Sequence, residues 1–189
     1  MIYLASQSPR RRTLLAQLGV GFETLDVAID ETPQAGETPD ALARRLAAGK
    51  VLAGRACLDD ADAHLVLGAD TVVVLDGESL GKPRDGDDAA RLLMRLSGRC
   101  HQVLSAVALA SADGTRVRLS RSRVCFRELA RPECEAYAAS GEPLDKAGAY
   151  AIQGRAAAFV RELHGSYSGV VGLPLYETAE LLREAGVSL

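Results

Sequence analysis

The chain has 189 residues, a formal net charge of −3, 48% hydrophobic residues and 25% charged residues. These figures fit a soluble globular protein with enough core for one domain spanning 1–189, and they exclude a surface given over wholly to nucleic acid. No run reaches the ~18 apolar residues of a membrane span, and the start lacks a charged stretch followed by an apolar one, so a cytoplasmic protein without export is expected.

Ile2-Tyr3-Leu4-Ala5 reads as a short buried strand, followed by Ser6-Gln7-Ser8-Pro9-Arg10-Arg11-Arg12. Ser8 before Pro9 is a helix start: serine at the N-cap, proline at the first helical position. Leu14, Leu15 and Leu18 give that helix one apolar face, and Gly19 closes it. Three arginines thus occupy a first turn that is already positive. Two serine hydroxyls, free helix N–H groups and the guanidinium groups together read as a phosphate grip. A plain solvated basic turn is the competing reading. Helical spacing puts Arg11 on the face of Leu14, Leu15 and Leu18 with its stem inward, and Arg10 and Arg12 to either side.

Phe22 to Val27 reads as a strand, and Ile29-Asp30-Glu31-Thr32-Pro33 as an acidic loop. Thr38-Pro39 repeats the helix start, and the helix is expected to run to about Cys57 with Leu42, Ala43, Leu46 and Ala53 buried. Lys50 falls on that stripe, four residues past Leu46; it either snorkels outward, the commoner outcome, or points into a site. Leu65 to Leu75 is nearly continuous apolar sequence, as in a central strand covered on both faces. Asp70 interrupts it. A buried carboxylate is costly unless paired, hydrogen-bonded or on a metal; the alternative is that Gly68-Ala69-Asp70 is a turn.

Asp76-Gly77 predicts a tight hairpin that pairs Leu75 with Glu78. Counting down the ladder brings Lys82 opposite Thr71, on the Thr71 face unless Gly81 hosts a bulge. An acid and a lysine thereby reach one place, although an edge lysine guarding a strand end is the bland alternative. Asp85 or Asp87 caps a helix with Ala89, Leu92, Leu93 and Leu96 on its inner face, ended by Gly98. His101–Ala110 and Thr115–Leu129 read as strands around an Ala112-Asp113-Gly114 turn, with Arg116, Arg118, Arg121 and Arg123 on an exposed face. No aromatic residues interleave with those arginines, which argues against nucleic acid there. Pro132 to Ala139 is expected as a short helix and Gly141 to Gly148 as a polar loop. Tyr150–Gly154 follows as a strand end, Ala157–Leu163 as a strand and Gly165–Gly169 as a tight loop. Pro174 opens the last helix, with Leu175, Ala179 and Leu182 inward and Gly186 beyond. The irregular alternation of strands and helices, with hairpins, points to an α/β fold with a mixed sheet flanked by helices.

Cys57, Cys100, Cys125 and Cys134 form no C-x-x-C pair, and no histidine cluster completes a zinc set. They read as buried small hydrophobes in a reducing cytoplasm. His64, His101 and His164 are scattered, with no nucleophile-histidine set apparent in the sequence.

The segments LASQSPRRRTLLAQLG, GAD-T with GKPRD, EPLDKAGAYAIQG and GSYSGVVGLPLYET together resemble the Maf family. These are house-cleaning nucleoside triphosphate pyrophosphatases related to the inosine triphosphatase fold, and the resemblance spans essentially the whole chain. It implies an elongated mixed sheet with two lobes and a cleft, cleavage between the α and β phosphates, a divalent cation (magnesium or manganese) and a homodimer. By matching positions, Ser6, Ser8, Arg11 and Arg12 fall in the phosphate motif. Glu31 matches an acidic residue that helps hold metal, Lys50 and Lys82 match phosphate-site lysines, and Asp70 matches the general base, also placed at the metal. One local departure is Gly49, where an acidic residue is common before the lysine. Arg10, Thr71 and Gln153 match the dTTP/UTP type at the positions that separate it from the 7-methyl-GTP type. A glutamine has the donor and acceptor needed to read a pyrimidine edge, whereas a cationic methylated guanine would favour a carboxylate. The family is also linked to inhibition of septum formation, so a partner-dependent role in cell division is the alternative to catalysis.

Overall fold

The computed structural model describes residues 1–189. Its spine is β3 (Leu65–Leu75), in which every residue except Leu65 and Thr71 is buried. Both faces are covered, as the unbroken apolar run requires. Along one edge β3 pairs antiparallel with β5 (Cys100–Ser111), from Val66 opposite Ala110 to Val74 opposite Gln102. The other edge is shared by two short strands. β1 (Ile2–Ala5) lies parallel to residues 65–67, and β4 (Glu78–Leu80) lies antiparallel to residues 73–75. Between them, Gly68 to Val72 has no strand partner on that side. β2 (Phe22–Leu25) extends the sheet beyond β1, and β6 (Gly114–Phe126) and β7 (Val160–His164) extend it beyond β5. The fold is thus mixed α/β, as expected.

Six helices complete it: α1 (Pro9–Ala16), α2 (Pro39–Arg55), α3 (Gly86–Leu96), α4 (Arg131–Ala138), α5 (Tyr167–Val171) and α6 (Leu175–Glu184). None is long and apolar enough to cross a membrane. α2 covers one face of the sheet, with Leu42, Leu46 and Val51 against Val66, Val72 and Leu104. α1 and α6 cover the other, with Leu14, Leu15, Leu181 and Leu182 against Leu4, Leu67 and Val107. A separate core joins α3, α4 and the far end of the sheet, around Leu93, Phe126, Tyr137 and Phe159. The sheet therefore carries two lobes, and the unpaired step of β3 lies where they meet.

Local chemistry explains the element ends. The Thr38 hydroxyl accepts the Ala41 N–H and starts α2, a cap that contributes about 1 kcal/mol. Of the two aspartates considered for α3, Asp85 accepts the Asp88 N–H. Gly68 is demanded by packing: a Cβ there would lie 2.9 Å from the Ala47 carbonyl oxygen and 2.9 Å from Val51 Cγ2. Its absence lets α2 settle close on β3.

Several expectations are corrected. Tyr150–Gly154 is not a strand end; residues 152–154 form a turn and Arg155–Phe159 a 3-10 helix, so the strand expected from Ala157 begins at Val160 and ends at His164. In place of a ladder, the Ala151 and Arg155 amides donate to the Tyr137 and Glu142 side chains, while the Gly154 and Ala157 amides close backbone turns onto the Ala151 and Gly154 carbonyls. Gly165–Gly169 is not all loop, because Ser166 Oγ accepts the Gly169 N–H and starts α5. β2 stops at Leu25 and β6 at Phe126, short of Val27 and Leu129. Cys100 and Cys125 are not free small hydrophobes: they face each other across β5 and β6 and are disulfide-bonded. Cys134 is buried as expected, and Cys57 is exposed. Arg116, Arg118, Arg121 and Arg123 are all exposed but do not share one face. Alternation along β6 sends Arg116 and Arg118 to the α6 side, where they pair with Glu184, and Arg121 and Arg123 to the α2 side, where Arg121 pairs with Asp40.

Candidate active site

The open step of β3 faces a cleft of about 810 Å³ lined from both lobes. One bank is built by β1, α1, α2 and β3. Ser6, at the end of β1, is buried, and its Oγ accepts the Ser8 N–H at 3.2 Å and an Arg11 N–H at 3.5 Å. Ser8 stands at the N-cap without using its hydroxyl to cap the helix, which leaves that oxygen for the cleft. Arg11 Nε donates to the Gly172 carbonyl at 2.8 Å, so the guanidinium is braced against the loop after α5. Burial lowers the Arg11 pKa below its ordinary value and Arg10 adds to this, against the opposing pull of Asp70 and Glu31. Arg12 does not join them: its side chain is exposed on the outer side of α1 and lies outside the cleft. The spacing of about 100° per residue that turns Arg11 inward turns its neighbour away.

Asp70, 8% exposed, projects on the α2 side of β3. Lys50 Nζ lies 2.6 Å from Asp70 Oδ1 and 2.7 Å from Glu31 Oε1, with the lysine side chain only 12% exposed. Lys50 therefore does not snorkel. The close seat of α2 over Gly68 leaves it no outward route, and its ammonium has carboxylate partners within. Without such partners, burying either charge would cost several kcal/mol. Burial acts to raise the Glu31 carboxyl, but the hydrogen bond and charge of Lys50, aided by Lys82 and Arg11, hold it below its ordinary range.

Lys82 reaches the same group by a different path from the one predicted. The β3–β4 ladder ends at Leu80, and the Gly81 carbonyl turns away to accept the Gly148 N–H at 3.1 Å. Lys82 is therefore not laddered opposite Thr71; its Nζ lies 3.7 Å from Glu31 Oε2, and the side chain is 60% exposed.

No cluster of three or more His, Cys, Asp or Glu side chains is poised for a metal. Glu31 and Asp70, however, already converge on one cation, the Lys50 ammonium. Two carboxylates of this kind, completed by substrate phosphates and water, suit magnesium or manganese, which need few protein ligands. The donor set fits a divalent cation.

The opposite bank comes from the segment after α4. Arg10 donates to Asp145 Oδ2 at 3.1 Å, and Lys146 Nζ holds the other oxygen of Asp145 and the Glu142 carbonyl. Gln153 is exposed at the rim, and Thr71 Oγ1 lies 3.1 Å from Ser105 Oγ. Asp145, Lys146 and Ser105 were not singled out from sequence. The polar loop around the first two was visible, but no periodicity marks which of its charges turns inward. Tyr150 also lines the cleft, and His101 Nε2 lies 2.8 Å from its hydroxyl in the layer beneath. Burial pushes His101 down to about 4, so it is neutral near pH 7. A smaller hollow of about 430 Å³ along α3 has its charges already engaged, Arg91 by Asp88 and Arg131 by Glu135.

A family model described as Maf-like protein matches residues 1–185. The chain is 52% identical to a dTTP/UTP pyrophosphatase of Aromatoleum aromaticum, covering 100% of this chain and 97% of that one. It is 54% identical to a dTTP/UTP pyrophosphatase of Methylococcus capsulatus, with 98% and 91% covered, and 54% identical to that of Pseudoalteromonas atlantica, with 100% and 98% covered. Among solved structures, the Staphylococcus aureus Ham1 protein aligns over 66% of this chain and 71% of its own, at 18% identity and a TM-score of 0.47.

Proposed function

The chain belongs to the Maf family, and we propose that it is a nucleoside triphosphate pyrophosphatase that hydrolyses dTTP and UTP to the monophosphate and pyrophosphate. The observation that carries this is the convergence of Lys50, Asp70 and Glu31 at the open step of β3, beside the Ser6–Arg11 turn. Water attacks the α-phosphorus and gives a proton to Asp70. The bond from that phosphorus to the bridging oxygen breaks, and pyrophosphate leaves with the electron pair. Asp70 Oδ1 is held by Lys50, so Oδ2 is the oxygen free to take the proton. Lys50, Lys82 and Arg11 offset charge on the leaving group, while Ser6 and Ser8 orient it. A divalent cation held by Glu31 and Asp70 would supply Lewis-acid polarisation of the phosphate oxygens.

On the other bank, Gln153 offers an amide donor and acceptor to the O4 and N3–H edge that thymine and uracil share. Arg10 and Thr71 shape the same end of the cleft. Neither Gln153 nor Thr71 supplies the carboxylate that a cationic 7-methylguanine would favour. A cytoplasmic homodimer that clears these triphosphates belongs to the same proposal. The test is a panel of triphosphates with magnesium, scored by pyrophosphate release. dTTP and UTP are expected to be consumed first. Consumption of 7-methyl-GTP with dTTP and UTP left intact would reject the assignment of the base.

A further inference from the structure

We propose that Tyr137 and Glu142, which lie outside the cleft, are positioning residues that fix the Gln153 turn and so set base selection. This rests on Gln153 being the residue that reads the base.

Gln153 sits in a five-residue segment, Ala151 to Arg155, that no strand supports. One backbone bond closes the turn, the Gly154 N–H donating to the Ala151 carbonyl at 3.0 Å, and its two ends are tied by side chains. The Ala151 N–H donates to the Tyr137 hydroxyl oxygen at 3.2 Å. That hydroxyl donates to Glu142 Oε1 at 2.8 Å. The Arg155 N–H donates to the same carboxylate, 3.1 Å from Oε1 and 3.4 Å from Oε2. One phenol and one carboxylate therefore clamp both sides of Gln153. Between them, Gly154 leaves the space the carboxylate fills, since a Cβ there would collide with Glu142 Oε1.

The clamp is anchored in the core. Tyr137, on α4, is 2% exposed and packs edge-on to Phe159, with ring centroids 5.3 Å apart. Burial, then the hydrogen bond to Glu142, push its phenol well above the ordinary value, which keeps the proton that bridges to the carboxylate. Glu142 also serves the rest of this bank: its backbone carbonyl accepts from Lys146 Nζ at 2.6 Å, and Lys146 with Arg10 holds Asp145. Neither Tyr137 nor Glu142 touches Lys50, Asp70, Glu31 or Arg11. Loosening the clamp should therefore disturb how the base is held and leave the reacting phosphates in place.

Tyr137→Phe and Glu142→Gln test this by steady-state kinetics on dTTP, UTP and GTP, with amide hydrogen exchange at residues 151–155. KM for dTTP and UTP is expected to rise about tenfold, the loss of one to two buried hydrogen bonds, with kcat within about twofold. The preference for UTP over GTP should narrow by a similar factor, and exchange at Ala151 and Arg155 should quicken. In a Gln153→Ala background, Tyr137→Phe should cost nothing further. A parallel fall in kcat on every substrate at unchanged KM, unchanged kinetics in both variants, or additivity with Gln153→Ala would overturn the proposal. If the wild-type protein prefers another base, the assignment of dTTP and UTP fails separately. The clamp is then judged by the exchange rates and by whether Tyr137→Phe flattens the preference that wild type does show.

Discussion

The bank of the cleft that carries Lys50, Asp70 and Arg11 stands on a strand and two helices, whereas the bank that carries Gln153 and Asp145 stands on turns. On the first, backbone ladders and a tightly seated helix set the distances, and the side chains meet as a consequence. On the second, side-chain hydrogen bonds set the backbone. A rigid frame suits phosphates, which every substrate shares. A frame tied by a few side chains can change how Gln153 is presented without disturbing that chemistry, whereas Arg10 on α1 and Thr71 on β3 meet it from the rigid side.

The sharpest way to break this division is Asp70→Asn, which keeps shape and removes the carboxylate proposed as proton acceptor. Pyrophosphate release is expected to fall about 10³-fold on every triphosphate alike; a fall confined to pyrimidine substrates would show that the two banks are not separate. Lys50→Met comes next, with kcat/KM down about 10²-fold. Lys50 is the main group holding the Glu31 carboxyl down against burial. The acid limb of the pH–rate profile should therefore move to higher pH, and a profile that stays in place would contradict the pairing. Arg10→Trp acts from α1 across the cleft: kcat/KM for dTTP and UTP should drop about tenfold, mostly through KM, because its ion pair with Asp145 on the other bank is lost.

The smallest effect concerns stability beneath the second bank. His101 is held neutral to about pH 4, while in the unfolded chain it takes a proton below about pH 6.5. The unfolded state thus binds more protons between those values, so stability falls as pH drops through that window. At pH 5.5 the loss is about 1.4 kcal/mol relative to pH 7.5. Chemical denaturation at the two pH values should show it in wild type and not in His101→Gln.

The same contrast explains what could be read in advance. β1, α1, α2, β3 and the Asp76-Gly77 hairpin follow from periodicity and caps, which are local signals. The placement of Ser6, Ser8 and the inward stem of Arg11 was therefore legible, while for Asp70 a turn stayed open beside the strand interior that β3 shows. Lys50 was ambiguous because its direction depends on Gly68 across the interface, not on its own helix. Lys82 arrived by another route because Gly148, far along the chain, captures the Gly81 carbonyl. Tyr150–Gly154 and the first residues of Ala157–Leu163 imitate strand through their apolar residues, but the Ala151 and Arg155 amides go to Tyr137 and Glu142 and the Gly154 and Ala157 amides close local turns. Cys100 opposite Cys125 follows from the β5–β6 register; the expected three-residue turn hid it, since the observed turn places Ser111 opposite Gly114.

A stretch of unpaired strand in mid-sheet is ordinarily a hazard, because free N–H and C=O groups invite another chain to pair there. Gly68 to Val72 is such a stretch. β1 and β4 flank it at either end, so an intruding strand would find only a short recess between two walls, too brief for a stable ladder. The open edge at the candidate site is thus kept from extension by another chain. Lengthening β1 or β4 would close the recess over Gly68 to Val72, and shortening either would widen it and expose more unpaired backbone to a second chain.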